Sequence, residues 1–396
     1  MAISVNDSIH RRIRQDLQRL HDLQLLREPR IVDVLNNGRC VVDGKEVINF
    51  GGNDYLGLAH EVGSAFDQTP RSQLGATASA LVAGRSSSHA KLETQLASFE
   101  QTESALLFPT GYAANLGVIT GLTQPGDAVF CDRDNHASIV DAIRLSEAKL
   151  LVYRSQEPDR LREALRSRRK EYNHAFIVTD GVFSMNGKVA RLKELCDIAD
   201  EFDASVIVDE AHGTGVIGES GRGASEYCNV EARTLVRVGT MSKAMGGVGG
   251  FAVGQSHVID LLRNRARTQF FSTALPPAIC DAMCESLNII RSEPQRRDML
   301  RTLGAIVREE CDQAGLQVVP DGKAPIVPVI IPGDKNVLAA SKALLTAGFF
   351  VPAIRSPTVS SGAERLRISF GVQHSETQLR SVVQQIASVC NENQSP

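Results

Sequence analysis

The chain has 396 residues, 42% hydrophobic and 22% charged, with a net charge of −3, which is enough for two packed domains. That balance excludes a general attraction to nucleic acid or to acidic membranes. No run reaches the ~20 apolar residues of a membrane helix, and Met1 to Gln24 lacks the apolar core of a secretory signal. Residues 1–30 are expected to form an amphipathic helix and an extended arm, since Ile9, Ile13, Leu17, Leu20 and Leu23 recur every three or four positions. Val41 to Phe50 reads as a hairpin about Asp43-Gly44. From about residue 100, short apolar runs alternate with helical stretches. The runs are Ala105–Phe108, Asp127–Cys131, Lys149–Tyr153, His174–Thr179, Ala204–Val208, Leu235–Val238 and Gly250–Val253. Ser138–Ala148, Pro158–Arg169 and Arg191–Phe202 are helical in pattern.

This alternation predicts an α/β fold with a seven-stranded, mostly parallel sheet covered on both faces. Pro276-Pro277 ends it. A long helical stretch, Ala278 to Ala314, leads to a smaller α+β C-terminal domain. Its expected parts are Leu316–Val319, Ile326–Ile331, a helix Asn336–Ala347, Phe349–Ile354, Arg365–Phe370 and a helix Glu376–Val389. The expected organisation is an arm over 1–50, a large ligand-binding domain over 51–283 and the small domain over 284–396. Eight cysteines are scattered without CxxC or zinc-type spacing. They are expected to be free buried thiols in a reducing, cytoplasmic setting.

Ligands on such sheets lie at the carboxyl ends of the strands, where Gly111, His136, Asp180, Asp209 and Lys243 fall. Lys243 stands in Gly239-Thr-Met-Ser-Lys-Ala-Met-Gly-Gly247, just past a strand and with no acid beside it. A solvated surface lysine is the ordinary alternative. The company of Thr240, Ser242 and open glycine backbone points instead to a desolvated amine that can meet an aldehyde cofactor. Asp209 ends a strand, where a carboxylate can keep a pyridine nitrogen protonated; a turn or helix cap is its alternative. His212 is three residues on. His136 follows another strand end and is a stacking partner for such a ring or else a helix cap. Pro109-Thr-Gly111-Tyr112 opens a helix, whose free N–H groups suit a phosphate. Gly213-Thr-Gly215-Val-Ile-Gly218 fits a dinucleotide fingerprint, but no helix opens after it. Asp209-Glu-Ala-His212 spells a helicase box, yet no phosphate loop of that class exists, and no third ligand is spaced to make Asp209 and His212 a metal site.

Taken together, Gly111-Tyr112, His136, Asp180-Gly-Val-Phe-Ser184-Met, Asp209-Glu-Ala-His212-Gly-Thr-Gly and Thr240-x-Ser-Lys243 resemble the α-oxoamine synthases, a fold-type I family dependent on pyridoxal 5′-phosphate (PLP). The resemblance runs from Asn53-Asp-Tyr-Leu-Gly57 to Arg365-Leu-Arg367. It implies a homodimeric acyltransferase that joins an amino acid to an acyl-CoA or carrier-protein thioester with loss of CO2. It implies catalytic roles for Lys243, His136, Asp209 and His212, and PLP contacts from these with Gly111, Tyr112, Ser184 and Thr240. Ser272 and Thr273 are implied to join from the neighbouring subunit. Asn53 and Arg367 are implied to hold the amino-acid carboxylate, with Arg27 and Thr358 also touching substrate. Ala353-Ile-Arg-Ser-Pro-Thr-Val359 followed by Arg365-Leu-Arg367 is most similar to members that join L-alanine to a pimeloyl thioester for biotin. Members using glycine, L-serine or other acyl groups are the alternatives, followed by a PLP aminotransferase or lyase. Ser356, Asp180 and Ala80 depart from residues common in the family.

Overall fold

The computed structural model describes residues 7–23, 25–27, 29–66, 75–154 and 157–392. Fourteen strands are present among them. Three open the chain, β1 (Val32–Val34), β2 (Arg39–Val42) and β3 (Lys45–Asn49). Seven follow in the middle: β4 (Ser104–Phe108), β5 (Ala128–Asp132), β6 (Lys149–Tyr153), β7 (Ala175–Asp180), β8 (Ala204–Asp209), β9 (Thr234–Thr240) and β10 (Gly250–Gly254). The last four are β11 (Ile326–Ile330), β12 (Phe349–Phe350), β13 (Ala353–Ile354) and β14 (Arg365–Ser369).

The middle seven form one sheet in the order β4-β10-β9-β8-β7-β5-β6. Only β10 runs against its neighbours β4 and β9, so the expected seven-stranded, mostly parallel sheet is what the chain builds. Side chains alternate between faces along a strand, and the two faces here are separate cores. Leu107, Phe130, Ile177, Val206, Val208 and Phe251 pack on one side. Leu106, Phe108, Val129, Val178, Ile207, Val236 and Ala252 pack on the other. Burial on both faces explains why these strands read as unbroken apolar runs.

At the N-terminus, the helix Asp7–Asp22 is present, while residues 1–6, 24 and 28 of that stretch lie outside the described residues. The hairpin turns where expected. Asp43 (φ 49°) and Gly44 (φ 85°) both occupy the left-handed region that suits a tight two-residue turn. β12 then pairs in parallel with β3, and Phe50 enters the same core as Leu303, Val329, Leu366 and Val382. The opening hairpin is thereby joined to the C-terminal unit.

Three expectations for that unit differ from the structure. The stretch Ala278–Ala314 is two helices, Pro277–Ser292 and Gln295–Gln313, because Pro294 has no N–H to continue a helix. The run Phe349–Ile354 splits into β12 and β13 about Pro352 for the same reason. Leu316–Val319 forms no strand, only the single bridge between Val318 and Val329, since Pro320 cannot donate to a ladder.

Candidate active site

The carboxyl ends of β4, β5, β7, β8 and β9 open onto one cavity of about 270 Å³. Its walls carry Gly111, Tyr112, His136, Ser184, Asp209, His212, Thr240 and Lys243, eight of the residues singled out in the sequence. Five loops from five strands bring them together because parallel strands put all these ends on one edge.

Asp209, the last residue of β8, is buried. Asn115 Nδ2 donates to its Oδ2 at 2.6 Å, and the Ala211 backbone N–H donates to Oδ1 at 2.8 Å. Asn115 also reaches Ser138 Oγ at 2.9 Å. Two donors on one buried carboxylate hold both its charge and its direction. Its strand neighbour Asp180 is different. Burial first, and then the charge of Asp209, push its carboxyl well above the usual carboxylate range. Asp180 therefore sits as a neutral acid beside a charged one.

Lys243 follows β9 on a loop shaped by Gly246 (φ 71°) and Gly249 (φ 122°). A side chain at Gly246 would strike the Ala59 backbone, and one at Gly249 would strike Met241. Burial pushes the Lys243 amine below its ordinary value, Asp209 and Asp180 oppose that, and Arg367 adds to the push. His212 is neutral, pushed down by burial and by the Lys243 and Arg367 charges. His136 caps the helix Ala137–Leu145 through Nδ1 and lines the cavity as well, so its two readings hold together. Partial burial lowers its proton affinity, Asp209 opposes, and Lys243 reinforces. Tyr112 meets its ring edge-on at 6.4 Å between centroids.

The helix Gly111–Leu122 begins at the cavity, with Thr110 as its cap accepting from the Ala113 N–H. The N–H groups of Gly111 and Tyr112 precede any intrahelical acceptor. A Cβ at Gly111 would lie 3.0 Å from Thr240 Cβ, so the glycine leaves a hollow between the helix end and the Thr240 hydroxyl. Thr240 is pinned by the Gly249 carbonyl at 2.9 Å and Ser242 Oγ at 2.7 Å.

Arg367 reaches the site from β14. Its Nε donates to the Ser184 carbonyl at 2.8 Å and its Nη2 to Asn53 Oδ1 at 3.1 Å. Arg27 and Thr358 lie outside the cavity walls and bond each other at 3.4 Å. Ser272 and Thr273 also lie outside, where Thr273 bridges Ser79. Among the described residues no group of three His, Cys, Asp or Glu side chains is placed to hold a metal ion. The glycines at 213 and 223 have a different task from dinucleotide binding. They close around Glu210, whose buried carboxylate takes the Ala224 and Ser225 N–H groups at 2.7 Å each.

Sequence reasoning passed over Asn115, Tyr55 and Glu210. Asn115 sits one helical turn after Gly111 on the same face, which is the signal that could have found it. Glu210 and Tyr55 carry no such sign, because their partners are far along the chain.

A buried lysine of lowered proton affinity, a fixed strand-end carboxylate and a phosphate-shaped hollow at a helix N-terminus fit PLP, and on this sheet they define a fold-type I PLP enzyme. The chain matches the aminotransferase class I and II family over residues 45–386 and belongs to it, within the α-oxoamine synthases. It is 38% identical to an 8-amino-7-oxononanoate synthase of Lysinibacillus sphaericus over 384 residues, 96% of this chain and 98% of that one. An enzyme of the same name from Methylococcus capsulatus is 43% identical over 362 residues, 90% of this chain and 93% of its own. A serine palmitoyltransferase from S. paucimobilis, solved with bound PLP, superposes with a TM-score of 0.90 at 28% identity, covering 98% of this chain and 99% of that one.

Proposed function

We propose that the chain condenses L-alanine with pimeloyl-CoA, or with the pimeloyl thioester of a carrier protein, to give 8-amino-7-oxononanoate, CO2 and the free thiol in biotin biosynthesis. The observation that carries this reading is identity of 38–43% to enzymes of that name over at least nine-tenths of the chain. When bound, PLP supplies a ring that accepts the negative charge developing at the amino acid's α-carbon.

The chain's own residues do the rest. Lys243, its amine held below the ordinary value by burial, takes up the α-proton at Nζ, which a fully charged ammonium could not do. Asp209, fixed by Asn115 and Ala211, is the carboxylate that would hold the pyridine nitrogen's proton. Gly111, Tyr112 and Thr240 would hold the phosphate, and Ser184, His136 and His212 the ring. Arg367, with Asn53, presents a guanidinium whose fork matches the two oxygens of the amino-acid carboxylate.

The same reading includes a cytoplasmic homodimer with shared sites. It is supported by large apolar side chains exposed at Leu81, Val82 and Phe271 beside Ser272 and Thr273, which a second copy would cover. The eight unpaired cysteines support a reducing compartment. Among the described residues no helix is long and apolar enough to cross a membrane.

The backbone likeness to serine palmitoyltransferase favours one second reading, L-serine with a long acyl-CoA. Thiol release from pimeloyl-, acetyl-, succinyl- and palmitoyl-CoA with L-alanine, glycine and L-serine decides between them. Highest kcat/KM for L-alanine with pimeloyl-CoA is expected, and preference for any other pair refutes the proposal. A monomer mass at assay concentration refutes the dimer.

A further inference from the structure

Tyr55 is fully buried, and no role given above uses it. Its hydroxyl lies 2.7 Å from His212 Nδ1 and 3.1 Å from Asn53 Oδ1. That same Oδ1 accepts from Arg367 Nη2 at 3.1 Å. A guanidinium only donates, so this atom of Asn53 is its carbonyl oxygen and the amide cannot be turned the other way. A carbonyl oxygen has no proton to give, hence Tyr55 donates to it. A phenol has a single proton. With that proton spent on Asn53, the phenol oxygen meets His212 as an acceptor, and Nδ1 must carry the hydrogen. His212 is buried and neutral, so its other nitrogen is bare.

We infer that Tyr55 is a positioning residue that fixes His212 as the Nδ1–H tautomer and leaves Nε2 as a hydrogen-bond acceptor for a ligand in the cavity. The identity of that ligand group, a ring hydroxyl able to donate, rests on the PLP reading; the tautomer does not. The consequence is a directed chain of donors. Arg367 and Tyr55 both give to Asn53, and His212 gives to Tyr55, so the carboxylate end of the site and the ring end are tied through one buried phenol. The link joins β14, the segment after β3 and the loop after β8, which are far apart in sequence. An imidazole with the wrong nitrogen protonated presents a donor where an acceptor is needed, and such an error alone can disable a site whose geometry is intact.

The test uses the full-length, cofactor-free protein with ¹⁵N-labelled histidine. Two-bond ¹H–¹⁵N correlation spectra distinguish an N–H nitrogen from a bare one, and His212 is assigned by the signals lost in His212→Asn. The expected result is Nδ1–H with bare Nε2 in the native protein, and a shift toward Nε2–H in Tyr55→Phe. In the PLP-loaded enzyme, Tyr55→Phe is expected to change the visible spectrum and lower kcat on the order of tenfold, with KM for L-alanine within about twofold. Finding Nε2–H in the native protein overturns the inference without need of any variant. A Tyr55→Phe protein that folds and keeps the native tautomer overturns it too, whatever its activity. Failure of the PLP reading would show instead as no cofactor spectrum, with the tautomer result standing.

Discussion

Asp180→Asn separates the two carboxyl groups at the floor of the site. Asp180 and Asp209 are register partners on adjacent strands, so only one can be charged cheaply. Asp209 has donors at 2.6 and 2.8 Å, whereas Asp180 accepts from the His136 N–H at 3.3 Å. Burial, with Asp209 as the second cause, keeps the proton on Asp180. In the unfolded chain the same group loses its proton near pH 3.9. Between that value and the raised folded one, the unfolded state binds fewer protons than the native state. Stability therefore falls as pH rises, by about 1.4 kcal/mol per pH unit for one such group. An amide at 180 cannot titrate and still accepts the His136 N–H bond. The variant should match the native protein below about pH 4 and gain on it above, approaching a factor of about ten in the folding constant per pH unit. Urea unfolding of the cofactor-free proteins from pH 4.5 to 6.5 measures this. Turnover of the loaded variant should stay within roughly threefold, because one uncharged group replaces another. A stability difference that is flat with pH, or that turns against the variant as pH rises, refutes the assignment of the proton to Asp180.

Lys243→Ala should abolish the visible absorbance of lysine-bound PLP and lower turnover by at least about 10²-fold, the least a lost general base costs, with the far-UV dichroism unchanged. Arg367→Lys forfeits the bonds to Ser184 and Asn53. At about 1.5–3 kcal/mol per charged hydrogen bond, KM for L-alanine should rise about 10- to 100-fold, with kcat changed far less. Gly111→Ala puts a methyl 3.0 Å from Thr240, which is held on two sides and cannot easily retreat. An overpacking cost of about 1–3 kcal/mol should appear as a PLP affinity at least about fivefold weaker by fluorescence titration, and unaltered affinity would refute the phosphate hollow.

The large sheet was legible because burial on both faces leaves runs such as Phe176-Ile-Val178 with no polar residue to blur them. The same runs end in polar residues at the site, so Asp180, Asp209 and Thr240 announced themselves as strand ends. Segments whose burial does not follow hydropathy were not legible. The helix Ser87–Phe99 buries His89 and Glu93 alongside its leucines, so its apolar face is interrupted. β1 is three residues long with only Val32 partly covered, too short for alternation to register. Site residues fixed by distant partners were equally silent. Asn115 finds Asp209 across 94 positions and Tyr55 finds His212 across 157, and neither spacing leaves a local pattern.

The carboxylate end of the site is made by the two extremes of the chain. Asn53 and Tyr55 follow β3, and β3 is held by β12. Arg367 lies on β14, with the Ser369 N–H bonded to the Phe50 carbonyl at 2.9 Å. The ring end belongs to the large sheet, through Asp209, His212 and Lys243. Three contacts cross this seam: Arg367 to Ser184, Arg367 to Asn53, and Tyr55 to His212. Every one of them is a hydrogen bond between groups that also face the cavity or stand directly behind it. A cavity wall built this way is rigid only when the C-terminal unit is docked, because Arg367 withdrawn would leave Asn53 without its charged donor. The affinity for the amino acid and the docking of the small unit are therefore one equilibrium, and a substitution in the β3–β12 pairing should raise KM for the amino acid before it touches the chemistry at Lys243.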